Sequence, residues 1–341
     1  MKKTLSRISP KTDHFAKMDT SIGVAGLFHS VRGKNRPKVQ IDHKLKDRTV
    51  RYLCWEILGG LEQSVFLAIL EMAARTGKPI PANPKTDIGK VMRKELSGKD
   101  KAENLAGKGI LTTYRELLMM LKKTDGKKNY LLLKDALERL SRVRVEEVQG
   151  ETWRGGMNLI AIVTDGENIG IGVNWRIAET LDGGRFVKID RNENLSLNSD
   201  ISRIIHVRLS AWMSSPPFSR TIGLDKLSEW VWAVGTNSEA RRQHRTRIRK
   251  ALSELMQKTK WKVDFHGETA VIERPDQSVL SVTPHPYLLS QKSVPSVTNH
   301  RTDCHTLIPD LSALMPFCEV SENSYLDSTY NLQGERSSPP L

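Results

Sequence analysis

Between Ser199 and Arg274 the spacing of apolar positions changes several times, and each change predicts an element. Ile201, Ile204, Ile205, Leu209 and Trp212 recur on one helix face behind Asn198 or Ser199 as a cap, and Ser214-Ser215-Pro216-Pro217 stops the run. Arg220–Ile222 is a short extended piece. Asp225–Trp232 reads as a second helix with Leu227, Trp230 and Val231 inward. Gly235-Thr236-Asn237 turns, with Asn237 or Ser238 as a cap, into a third helix from about Glu239 to Lys258. Its stripe is Ile248, Ala251, Leu252 and Leu255. Trp261, Val263 and Phe265 then alternate, His266-Gly267 turns, and Ala270–Glu273 returns as a hairpin. Helix, short strand, helix, helix, hairpin is the order of a winged helix, in which the third helix enters the DNA major groove and the hairpin touches the backbone beside it.

A looser version precedes it. Leu61, Val65, Ala68, Ile69 and Met72 predict one helix, Thr113–Lys122 a second, and Asn129–Ser141 a third with Leu133, Ala136, Leu137 and Leu140 inward. Val143–Val148, Asn158–Val163 and Ile169–Asn174 read as strands, and Val39–Ile41 with Thr49–Leu53 as a hairpin ahead of the unit. The order of elements repeats without a visible repeat of residue identity. The expected fold class is α+β: two tandem winged-helix DNA-binding domains with a disordered C-terminal tail. The expected division is a flexible arm over 1–24, a first domain over 25–190, a second over 191–275, and a tail over 276–341.

Charge sharpens this division. The 341 residues carry 53 Lys+Arg against 39 Asp+Glu, a net +14. The tail has three cations, seven acids, eleven serines and seven prolines, so it stands at −4 and the preceding 275 residues at +18. Such an excess points to nucleic acid or an anionic surface as partner. No apolar run approaches the ~20 residues of a membrane span, and none follows the N-terminal lysines as a secretory signal requires. Three cysteines (Cys54, Cys304, Cys318) leave one unpaired in any pairing, which suits a reducing cytoplasm.

The cations concentrate on the third helix of the second unit. Arg241, Arg242, Arg245, Arg247, Arg249 and Lys250 lie within twelve residues, with acids only outside the run, at Glu239 and Glu254. On a helix, Arg242, Gln243, Thr246, Arg247, Arg249 and Lys250 project away from the Ile248 stripe. Arg241 and Arg245 sit nearer the core side, at the helix start where the stripe has not begun. A merely solvated face alternates signs for i, i+4 pairing. This one matches DNA reading: Arg bridges guanine O6 and N7, Gln bridges adenine N6 and N7, and the remaining cations hold phosphates. His266, in the hairpin turn, and Lys127 and Lys128, opening the first unit's third helix, complete the candidate DNA-binding set. The first unit's helix offsets its cations with Asp135 and Glu138, so it either touches backbone, mediates dimerisation, or does both.

Other chemistry is not written in the chain. Gly77-Lys78, Gly98-Lys99, Gly107-Lys108 and Gly126-Lys127 all lack the frame of a phosphate-binding loop. His300, Cys304, His305 and Cys318 match zinc ligands by type but not by spacing. A DNA-nicking enzyme would pair His-x-His with a tyrosine nucleophile, and no His-x-His occurs. No catalytic residue, cofactor or metal is expected. Trp212, Trp230, Trp232 and Trp261 read as the core of the second unit.

Several segments resemble a known family. They are Gly26-Leu27-Phe28 with Arg32-Gly33, Arg208-Leu209-Ser210-Ala211-Trp212, Ile222–Leu227 leading to Val231-Trp232, Arg241–Leu252, and Trp261–Pro275. Together they are similar to the RepC replication initiators of IncQ-type broad-host-range plasmids. The likeness is best over about 185–275 and rests mainly on the order of elements over 25–185. The resemblance implies two winged helices that bind direct repeats (iterons) in double-stranded plasmid origin DNA. It also implies opening of an adjacent AT-rich segment, recruitment of replicative helicase and primase, a part in copy control, and no covalent chemistry. Arg242, Arg245, Arg247 and Arg249 match basic positions of the family's recognition helix. A monomer–dimer equilibrium is expected, and no membrane contact. The competing reading is a winged-helix transcriptional repressor on an operator, although a small regulator usually has one such unit per chain.

Overall fold

The computed structural model describes residues 14–275 apart from 32, 34, 35, 150, 151 and 233–237. The tail 276–341, its zinc-type residues, the first thirteen residues and the turn at Gly235-Thr236-Asn237 therefore lie outside the described residues. Residues 14–24, expected as part of a flexible arm, are built into the fold instead. Strand β1 (Phe15–Asp19) runs antiparallel to β10 (Phe186–Asp190), and Ala16 and Met18 are fully buried. Asp19 then caps α1 (Thr20–Ala25), accepting from the Ser21 amide at 2.7 Å. Five residues of alternation are weak evidence for a strand until a partner 170 residues away supplies the ladder.

The C-terminal unit contains every element the spacing predicts. Ser199 caps α8 (Asp200–Trp212); β11 (Ser219–Gly223), α9 (Leu224–Val231), α10 (Ser238–Lys258), β12 (Lys262–His266) and β13 (Thr269–Glu273) follow. The strands form an antiparallel sheet in the order β11-β13-β12. Ile204, Ile205, Leu209, Leu227, Ile248, Leu252, Leu255, Trp261 and Ile272 share one core. Trp230 and Trp261 are buried in it, and Trp212 and Trp232 pack against its edge.

The N-terminal unit repeats this order with insertions. Its counterparts are α2 (Gly60–Thr76), β5 (Gly107–Thr113), α4 (Tyr114–Met120), α5 (Lys127–Ser141), β8 (Ile160–Asp165) and β9 (Asn168–Val173). The sheet β4-β5-β9-β8, with β4 at Lys78–Ile80, contains the same β5-β9-β8 arrangement. Helix α3 (Asp87–Leu96) and a 3₁₀ turn (Asp100–Asn104) are inserted before β5. Strands β6 (Val143–Gln149) and β7 (Thr152–Asn158) are inserted before β8, and join β2 (Val39–Lys44) and β3 (Thr49–Cys54) in a second sheet, β2-β3-β6-β7. Short helices α6 (Trp175–Leu181) and α7 (Arg191–Ser196) lead out of the unit.

Residue identity does repeat, contrary to the sequence reading. Leu133-Lys134-Asp135-Ala136-Leu137-Glu138-Arg139-Leu140 of α5 corresponds to Ile248-Arg249-Lys250-Ala251-Leu252-Ser253-Glu254-Leu255 of α10, and the four apolar positions of each are buried. The two hairpins turn at Asp165-Gly166-Glu167-Asn168 and His266-Gly267-Glu268-Thr269, with glycine φ angles of 57° and 56°. The β6–β7 insertion changes the offset between helix and hairpin, which hides the repeat from a scan at one period.

The expected boundary at 190/191 is not a break. Helix α8 sends Ile204, Ile205 and Leu209 into the C-terminal core and Val207 and Ala211 into the N-terminal core, and the described residues fall in one compact unit. Helix α2 is buried over most of its length and carries charge with it. Glu62 accepts from the Gly59 amide at 2.7 Å and from Arg139 at 3.0 Å, and Arg36 lies 3.2 Å away. Arg139 thereby ties α5 to the start of α2. Among the described residues no helix is long and apolar enough to cross a membrane.

Candidate nucleic-acid interface

Helix α10 turns its apolar stripe onto α8 and α9 because Ile248, Ala251, Leu252 and Leu255 are its only well-spaced apolar run. Everything opposite that stripe is therefore left outside. Arg241, Arg242, Gln243, Thr246 and Lys250 are exposed, and Arg245, Arg247 and Arg249 are half-buried. Among the described residues Arg241, Arg242, Arg247 and Lys250 have no ion-pair partner. Gln243 reaches Glu239 at 3.4 Å, and the Thr246 hydroxyl donates to the Arg242 carbonyl at 3.2 Å.

Two arginines of the expected set are committed within the protein. The Nε and Nη2 of Arg245 donate to the two carboxylate oxygens of Asp225 at 2.6 Å each, and its Nη1 pairs with Glu268 in the hairpin turn. The hydrogen bonds from Arg245 hold the Asp225 carboxyl below its ordinary range. Arg249 donates to the Gly267 carbonyl and lies over the Phe265 ring, 5.5 Å from its centroid. Both therefore fasten the hairpin to α10. His266, exposed in the turn, lies 3.1 Å from Asp264. His244 stacks on Trp232 at 3.7 Å and 10° and meets Ser228 at 3.2 Å, which fixes the start of α10 against the end of α9.

Lys127 and Lys128 are exposed at the start of α5, behind Gly126, which offers no side-chain cap. Aligned on the buried stripes, they stand opposite Arg242 and Gln243. The same alignment puts Leu131, Leu132 and Asp135 where α10 has Thr246, Arg247 and Lys250. Leu131 and Leu132 are 55% and 40% exposed. The structure thus brings the α10 cations and His266 to one hairpin-flanked face and places Lys127 and Lys128 on the equivalent face of the other unit.

A family model for Replication protein C (RepC) matches residues 11–276. The chain belongs to the RepC family. The match spans both repeated units and ends where the acidic tail begins. Crystal structures of domains 2 and 3 of RctB resemble this RepC protein with TM-scores of 0.43 and 0.39 at 10% and 11% identity. They cover 74% and 73% of this chain and 96% and 95% of theirs, a likeness too distant to carry any functional argument. Among curated proteins there is no significant match.

Sequence reasoning passed over Asp225 and Glu268, the acids that engage Arg245. Each is an ordinary surface acid in the sequence, separated from Arg245 by 20 and 23 residues. The repeated x-Gly-Glu-x turn was the available signal that position 268 has a fixed place beside the third helix.

Proposed function

We propose that this RepC protein is a non-catalytic plasmid replication initiator built on two winged helices, and that α10 reads direct repeats in the origin duplex. The observation that carries the reading is the outward face of α10, where Arg241, Arg242, Arg247 and Lys250 stand without an ion-pair partner among the described residues, beside a hairpin fastened to the same helix. An Arg or Gln in that position discriminates a base pair by about 1–3 kcal/mol, and unpaired cations hold phosphates. The element order and the β11-β13-β12 sheet support the winged-helix assignment.

The N-terminal unit contributes differently. Lys127 and Lys128 sit with free helix amides at the start of α5, an arrangement suited to backbone phosphate. Leu131, Leu132 and Asp135 suit a protein partner better than base edges, which fits a second copy or the helicase and primase. The initiator binds the repeats, promotes opening of an adjacent segment, and helps bring those enzymes in.

Footprinting on the plasmid origin tests this. Protection repeating at about two helical turns, with permanganate-reactive thymines beside it, is the expected result. Protection without reactive thymines would instead indicate a repressor, and relaxed circles with protein attached would indicate a nicking enzyme.

A further inference from the structure

Three segments that carry the RepC resemblance meet at a place α10 does not use. Gly26 ends α1 with φ at 78°, and the Arg208 guanidinium packs against it so closely that a side chain at position 26 would collide with it. Arg208 lies over the Trp230 ring at 5.1 Å. Trp212 meets Trp230 edge-on at 5.6 Å and has Arg220 over its own face at 5.1 Å. Beside Arg208 opens a cavity of about 270 Å³ lined by Val24, Arg208, Trp212, Lys226, Glu229 and Trp230.

The charges around it do not balance. Lys226 and Glu229 pair at 2.7 Å, and Arg208 has no ion-pair partner among the described residues. Burial alone lowers its pKa to about 10. By contrast Arg176 meets Asp19 at 3.0 Å and Glu147 at 2.8 Å, and Arg191 meets Glu71. A largely buried cation without an anion is costly. The C-terminal end of α1, a six-residue helix, supplies only a fraction of a charge.

We propose that this cavity binds the phosphate of one nucleotide unit, with Arg208 and Lys226 on the phosphate and Trp212 beside the sugar or base. Arg presents a planar fork that matches phosphate oxygens. Aromatic rings next to arginines are the usual surface for an unstacked base. Lys226 is exposed, and its pairing with Glu229 costs little to exchange for a phosphate. The volume lies just under the ~300–1,000 Å³ of drug-sized sites, which suits one unit and not a dinucleotide. The phosphate could be that of a free mononucleotide or of a DNA strand. The inference does not depend on α10 reading duplex.

The full chain is titrated calorimetrically with dTMP, thymidine and inorganic phosphate, and by fluorescence anisotropy with labelled oligo-dT and with the origin-repeat duplex. dTMP or oligo-dT should bind and thymidine should not. Arg208→Gln should weaken that binding about tenfold or more, and Lys226→Gln, at an exposed position that leaves the fold intact, severalfold. Binding of dTMP would identify a free nucleotide as the source, and binding of oligo-dT alone a strand. Arg242→Ala should weaken binding of the origin-repeat duplex and leave binding of the cavity's ligand unchanged, so failure of α10 as a reader and failure of the cavity are separable. The proposal is overturned if neither ligand binds, if Lys226→Gln binds as the wild type does, or if inorganic phosphate binds as well as dTMP.

Discussion

Arg245 grips both carboxylate oxygens of Asp225, each at 2.6 Å, and its remaining nitrogen reaches Glu268 in the hairpin turn. One side chain thus joins the start of α9, the middle of α10 and the tip of the hairpin. The equivalent positions in the N-terminal unit hold Arg115, Tyr130 and Glu167, so no cation stands on α5 to make the same clamp. Removing Arg245 frees two carboxylates on the face proposed to meet phosphates, so Arg245→Ala should weaken binding to the origin repeat roughly tenfold through like-charge repulsion. The slope of log K against log salt should stay unchanged, and adding Asp225→Asn with Glu268→Gln should restore affinity. A slope that falls by about 0.9 would show that Arg245 holds a phosphate directly.

Arg242 and Arg249 should separate reading from fastening. Arg242 is exposed with no ion-pair partner among the described residues, whereas Arg249 is bonded to the hairpin. Arg242→Ala should weaken and relax recognition of the repeat, by about 1–3 kcal/mol. Arg249→Ala should weaken all duplex sequences about equally. Competition binding at fixed salt checks both, and unchanged affinity in both variants would remove α10 as the recognition helix.

The unpaired cations also set a salt dependence. Arg241, Arg242, Arg247 and Lys250 with Lys127 and Lys128 would neutralise up to six phosphates, a slope of about −5 for duplex DNA. Lys127→Ala with Lys128→Ala should reduce it by about two while leaving sequence preference intact. A slope that does not move would confine DNA contact to the C-terminal unit.

His29 should make the fold sensitive to mild acid. It is 7% exposed, its Nδ1 has no partner, and burial together with the Arg208 charge lowers its pKa to about 4. Between about pH 6.5 and 4 the unfolded chain binds this proton and the folded chain does not, so stability rises with pH across that window. The loss on acidification amounts to about 3 kcal/mol from this group. Urea denaturation at several pH values should show it, and His29→Gln should flatten the profile.

Glu62 is fully buried between Arg139, Arg36 and the Gly59 amide. Glu62→Ala strips a capping contact and leaves two arginines facing a cavity. It should cost about 3–5 kcal/mol by urea denaturation, far more than removing an exposed acid such as Glu138. A loss below about 1 kcal/mol would mean that the arginines find other partners.

Elements with a long, single-sided stripe were legible in advance: α8, α10 and α5 lie where Ile204, Ile248 and Leu133 place them. The pieces that were not, β1, α1, β4, α3, β7, α6, β10 and α7, are short or draw their stability from distant partners. Ala16 and Met18 signal a strand only once β10 lies beside them. The candidate site was readable as composition, six cations in one stretch of helix, but not as a division of labour. Nothing local distinguishes Arg245, which is bonded to Asp225, from Arg242, which is exposed, because the difference lies in acids 20 and 23 residues away.

The chain by itself determined the C-terminal order of elements, the polar face of α10, the acid-poor run on it and the sign of the charge, because these depend on spacing within one element. Only the tertiary structure decided that α8 serves two cores and that the hairpin is fastened by Arg245 and Arg249. It also showed that α5 repeats α10 with leucines on its outer face, and that Gly26 and Arg208 meet beside a cavity. Those outcomes depend on which distant side chains are brought within a few ångströms, and hydrophobic patterning along the chain does not specify that.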